Sequence, residues 1–122
     1  SDLTVAGINV AQEFTATQNF NATTLTDAST IAWDASANQV TSVTLGGNRT
    51  LGASTNQVDG GVYVISVIQD GTGGRTLSFN SNYKFAGGTA PTVTSTASAR
   101  DVFVFMSNGT NMFEIGRSQN VS

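Results

Sequence analysis

The chain of 122 residues contains neither cysteine nor histidine. Without cysteine there are no disulfides, no thiolate metal sites and no cysteine nucleophile. Without histidine, the side chain that ordinarily titrates between about pH 5 and 8 is missing. Serine and cysteine triads that use an imidazole are excluded, and so are nearly all protein zinc sites. Charge is scarce too, at 11% of residues against a usual value of about 25%. The five cations, Arg49, Arg75, Lys84, Arg100 and Arg117, are scattered singly in a chain of net charge −3. A nucleic-acid binder concentrates positive charge to displace counterions from phosphate, so nucleic acid is not an expected partner. No apolar run approaches the ~20 residues of a membrane helix, and no membrane partner is expected. Ser1-Asp2-Leu3-Thr4 lacks the basic and apolar regions of a signal peptide and reads as a mature start.

In place of charge the chain carries threonine, serine and asparagine at 42 positions. Threonine fits strands and asparagine fits tight turns. The length suits one domain with one core. Residues 1–18 read as an extended arm, because Leu3/Val5 and Ile8/Val10 each alternate with a period of two. Residues 19–122 read as a single domain of short strands: Phe20–Leu25, Ser29–Asp34, Gln39–Leu45, Val62–Gln69, Arg75–Phe79, Thr92–Thr94, Arg100–Ser107 and Asn111–Ile115. Glycine- and asparagine-rich turns separate most of them. Asn108-Gly109 is the clearest hairpin signal, a pair that suits a type I′ turn. No segment of ten residues has helical spacing. The expectation is an all-β, antiparallel β-sandwich, jelly-roll-like, with an extended N-terminal arm.

Alternation predicts the dry faces. Ile31 and Trp33, Thr41, Val43 and Leu45, and Leu77 and Phe79 point inward, with polar residues between them. Two strands break the rule. Val62–Ile68 and Val102–Met106 are apolar on both faces, and a two-layer sandwich covers only one face of each sheet. The second face therefore needs another cover, from the arm or another subunit. Tyr63, Ile65, Val67, Phe103 and Phe105 are the expected subunit-interface residues, and a loop folded over the sheet is the plainer alternative.

Catalytic chemistry has only carboxylates to draw on. A glycosidase needs two across a cleft, about 5–9 Å apart, but most acids here sit at strand ends or turns, where aspartate caps the backbone. The chain is read as non-enzymatic, with no catalytic, cofactor or metal residues. Asp70-Gly71-Thr72-Gly73-Gly74 offers one carboxylate, too few for a calcium loop, and reads as a hairpin connection. Four Asn-X-Ser/Thr sequons carry no weight in so Asn- and Thr-rich a chain. Among the aromatics, Tyr83 is the best exposed candidate for stacking on a ligand, and the others read as core.

One ordered set of segments runs over about residues 26–115: Thr26–Asp34, Val43–Leu51, Gly60–Tyr63, Gln69–Leu77, Tyr83–Phe85, Gly87–Thr92 and Phe105–Asn111. It resembles modules of bacteriophage virion proteins, among them tail-fibre-like domains. The resemblance implies a β-sandwich in a phage particle, often trimeric and often fused to a longer fibre. This chain has a short arm where a fibre has its shaft, which favours a small capsid decoration or cement protein. Such a protein is made in the host cytoplasm and ends on the capsid surface of the virion. It would bind the assembled shell as a homotrimer, with the major capsid protein as partner, and stabilise the shell by mass action. Leu3, Val5, Ile8 and Val10 would be its capsid-binding arm, by strand addition. The alternative is a tail-fibre receptor-binding module that recognises host surface glycans, with Tyr83 or Trp33 and asparagine side chains reading the sugar.

Overall fold

The computed structural model describes residues 21–121. Among the described residues nine strands form two sheets: β1 (Ala22–Thr24), β2 (Thr30–Asp34), β3 (Val40–Leu45), β4 (Arg49–Thr55), β5 (Val62–Gln69), β6 (Leu77–Phe79), β7 (Tyr83–Lys84), β8 (Arg100–Ser107) and β9 (Met112–Val121). One sheet has six strands in the order β1-β3-β5-β8-β9-β7, and the other has three in the order β2-β4-β6. The all-β expectation stands. The purely antiparallel, jelly-roll-like arrangement does not, because β1-β3, β3-β5, β2-β4, β4-β6 and β7-β9 are parallel pairs.

The path explains the parallel pairing. From β1 to β6 the chain alternates between the two sheets, and each strand lands beside the one laid down two elements earlier. Ala22 lies beside Val40, and Val40 beside Val64. A chain that rises in this way builds a short two-sheet coil, as β-solenoids do. The coil ends at β5, which pairs antiparallel with β8, and β8 pairs antiparallel with β9. The β8–β9 hairpin thus extends the large sheet, and β7 forms its edge beside β9.

Rows of inward residues run across the strands. Thr41, Ile65 and Phe103 are in register on the large sheet, as are Val43, Val67 and Asp101. Ile31, Leu51 and Phe79 face them from the small sheet. All these apolar side chains belong to one core. At its centre Trp33 stacks on Tyr83 at 6.1 Å and 14°, and meets Phe105 edge-on at 6.1 Å. The Trp33 indole N–H donates to the Asn38 carbonyl at 2.8 Å. The polar tip of the largest core side chain is thereby satisfied.

Polar residues at inward positions fasten the loops. Gln69 Nε2 donates to the carbonyls of Arg75 and Thr94, both at 2.8 Å, and its Oε1 accepts the Arg75 N–H. Asp101 is buried and accepts the backbone N–H groups of Thr94 at 2.7 Å and Asn120 at 2.8 Å, together with the Gln119 amide. These bonds tie down Thr92–Thr94, which was expected as a strand but pairs in neither sheet. The Ser107–Thr110 hairpin forms by other means than expected. Gly109 has φ +92°, but Asn108 is not among the positive-φ residues. A type I′ turn needs both. Instead the Asn108 side chain accepts the N–H groups of Thr110 and Asn111.

Candidate functional site: a polar-rimmed aromatic cavity and an apolar sheet face

The carboxylates, the only acid–base groups the chain offers, are mostly engaged in holding the fold. Arg49 grips Asp27 through two hydrogen bonds of 2.7 and 2.9 Å. That guanidinium, aided by the Gly46 N–H, holds the Asp27 carboxyl below the usual carboxylate range despite an opposing contribution from burial. Arg75 likewise pairs with Asp70 at 2.9 Å, and the Asp70 carboxylate also caps the N–H groups of Gly73 and Thr72. Its carboxyl is lowered, first by Arg75 and then by Gly73. The Asp70–Gly74 loop joins β5 to β6 across the two sheets, so it is no hairpin connection. Asp34 caps its own turn through Ser36 and binds Asn56, and both contacts lower its carboxyl. Glu114 pairs with Arg117 at 2.7 Å. Burial raises the Asp101 carboxyl, but the N–H groups of Asn120 and Thr94 and the Gln119 amide more than offset it.

Two aromatic expectations are overturned. Tyr83 is only 4% exposed and Trp33 only 1%, so neither can stack on a ligand at the surface. The Tyr83 hydroxyl donates to the Gly52 carbonyl at 2.7 Å, and burial pushes the phenol upward. Alternation along β2 already points Trp33 inward, whereas β7 is only two residues long and shows no periodicity that could place Tyr83.

The aromatic surface that is open lies beside Tyr83. Phe79 and Phe85 are both half-buried, with ring centres 5.0 Å apart at 69°. With Asn80, Ser81, Lys84 and the backbone around Gly88 they line a cavity of about 340 Å³. Gly87 and Gly88 have φ of +68° and +72°, the left-handed region where a side chain would be strained, and they bend the chain over the cavity as a single 3-10 turn at Ala86–Gly88. Phe79, Tyr83 and Phe85 fall within seven residues of sequence around Lys84. The structure keeps that grouping, but the open rings are the phenylalanines.

The second surface is the outer face of the large sheet. The five expected interface residues, Tyr63, Ile65, Val67, Phe103 and Phe105, are 0–5% exposed and fill the chain's own core, so they offer no surface to another copy. Their neighbours along β5 and β8 face the other way: Val62, Val64, Ile68, Val102, Val104 and Met106 are exposed or half-buried. Val40, Val64, Val104 and Gly116 make one row across the sheet, and Val62, Met106 and Phe113 make the next. Phe113 is 41% exposed and Ile115 53%. Lys84 on β7 stands at the end of the second row, beside Phe113; the first row carries no charged side chain, and Gly116 leaves it flat. The expected arm residues, Leu3, Val5, Ile8 and Val10, lie outside the described residues.

Fold and surfaces together define an all-β module that presents an apolar sheet face on one side and a small polar-rimmed cavity beside β6 and β7. The chain belongs to the family described as "Putative phage tail fibre C-terminal domain", whose model matches residues 4–112. It is a structural module of the phage virion. No curated protein and no solved structure matches the chain.

Proposed function

We propose that this chain is the receptor-binding end of a phage tail fibre, a non-enzymatic homotrimer that recognises glycans on the host surface. The observation that carries this reading is the family match over residues 4–112. It supports the fibre over the capsid surface, and so the glycan-binding alternative over a cement protein that grips the major capsid protein. The outer face of the large sheet supports self-association, because apolar rows exposed on a particle protein gain most from covering one another. Three identical sites on one rigid tip would bind a repeating surface polymer far more tightly than one site.

The test is competition. The purified chain, added to host cells before the phage, should occupy receptors and slow adsorption, and a host lacking surface polysaccharide should not bind it. Undiminished adsorption at saturating protein would overturn the receptor reading. For the trimer, Val104→Arg places a charge in the middle of the apolar face and should shift the mass in solution from trimer to monomer with the fold intact. A parent chain that is monomeric at high concentration would remove the trimer.

A further inference from the structure

We infer that the cavity beside β6 and β7 takes an anionic saccharide unit, a sugar ring bearing a carboxylate or phosphate, with Lys84 as its charge partner. The inference rests on the receptor-binding reading and names its ligand class. Size comes first: about 340 Å³ lies in the range of small-ligand sites and has room for a single ring with its substituents. The wall comes second. Phe79 and Phe85 offer an apolar surface for the C–H face of a sugar, and neighbouring rings fix them in place. Phe103 meets Phe79 edge-on at 5.8 Å, and Phe105 meets Phe85 at 6.0 Å. A wall held this way loses little rotamer freedom on binding.

Charge selects the ligand. Arg49, Arg75 and Arg117 are each committed to a carboxylate. Lys84 is exposed and makes no ion pair among the described residues, and no acid lines the cavity around it. The Asn80 side chain is oriented: its Oδ1 accepts the Asn82 N–H at 3.1 Å, which leaves its amide N–H groups as donors. Ser81 adds a hydroxyl that can donate or accept. The rim is thus one cation and several donors over an apolar wall. That combination favours a ligand that is acceptor-rich and negative on one side and apolar on the other. Arg100, the other exposed cation with no ion pair among the described residues, does not line the cavity, and attraction for an anion at Lys84 should fade with salt.

The experiment is an NMR titration of the 122-residue chain with glucuronic acid, glucose 1-phosphate, glucose and inorganic phosphate. Glucuronic acid or glucose 1-phosphate should shift the backbone amides of residues 79–88 and bind about tenfold more tightly than glucose, the worth of one charge-assisted hydrogen bond. The first two probes distinguish a carboxylate from a phosphate ligand. Lys84→Gln, at an exposed position, should keep the native spectrum and erase the preference. Equal binding of glucose, shifts centred elsewhere, or a preference that survives Lys84→Gln would each overturn the inference. Inorganic phosphate binding as tightly as glucose 1-phosphate would reduce the cavity to an anion site and remove the sugar. Cell binding by Lys84→Gln separates this inference from its foundation. If the parent binds host cells and the variant binds equally well, the cavity assignment fails and the receptor reading stands. If the parent binds no host cells, the receptor reading itself fails.

Discussion

Asp101→Asn is the substitution that most sharply tests how this fold is fastened. Asp101 is 2% exposed. One of its oxygens accepts the Asn120 N–H at 2.8 Å, and the other accepts the Thr94 N–H at 2.7 Å and Gln119 Nε2 at 3.1 Å. Asparagine keeps the shape but exchanges one acceptor for a donor. Whichever way the amide turns, at least one backbone N–H then faces an NH₂ group. A hydrogen bond to a charged group is worth about 1.5–3 kcal/mol, and an orphaned buried donor costs about 1–3 kcal/mol. The expected loss is therefore about 2–4 kcal/mol at pH 7, a drop in melting temperature on the order of 10 °C. Urea unfolding at fixed protein concentration, with the slope compared between the two proteins, measures it. The same experiment at low pH is an internal control. The folded-state pKa of Asp101 is depressed below its ordinary value of 3.8, so its contribution is present above that value and is lost as pH falls through the folded pKa. A protonated Asp101 resembles asparagine, so the gap between parent and variant should close in acid. A gap under about 0.5 kcal/mol at pH 7, within the scatter of ordinary surface substitutions, or one that persists unchanged in acid, would refute the reasoning.

Three further outcomes follow from the same structure. Trp33→Ala should cost about 3–5 kcal/mol, because it empties the centre of the core and releases the stacked Tyr83; thermal unfolding reads it. Gly73→Ala should also destabilise, by about 1–3 kcal/mol, since Gly73 has φ +73° and an added Cβ would sit 2.7 Å from the Ser95 carbonyl oxygen; Gly74→Ala, with positive φ but open space, should cost less. Stability should be flat from about pH 5 to 8, where no side chain of this histidine-free chain ordinarily titrates, and should fall below about pH 4 as the depressed carboxyls of Asp27, Asp34, Asp70 and Asp101 take up protons. A melting-temperature profile against pH checks both limbs.

The inward faces were legible because alternation is local. Ile31 and Trp33, Val43 and Leu45, and Leu77 all point inward as their spacing predicts. Strand direction was not legible, since a strand of given sequence can pair either way. The turn at Gly46-Gly47 looks like a hairpin turn in sequence. In space the Asp27–Arg49 pair holds it, and the chain passes to the other sheet instead of doubling back. β4 escaped notice as a full strand because Gly52-Ala53-Ser54 are poor strand formers. Gly52 is needed where Thr30 Cγ2 and the Ile31 carbonyl lie 3.1 and 3.2 Å from any Cβ. The two-sided apolarity of β5 and β8 was legible and informative, but alternation alone could not say which side was core. The inward rows went to the chain's own interior, and Val64, Val104 and their neighbours became the open face. The cavity was only partly legible. The cluster around Lys84 could be seen in sequence, whereas the burial of Tyr83 depends on Trp33, which lies 50 residues earlier in the chain.

Location on the particle tests the account most directly. Intact virions labelled with an antibody against this chain and imaged by electron microscopy should carry a few labels at the ends of the tail fibres and none on the head. Dense labelling over the head, with the fibres bare, would contradict it.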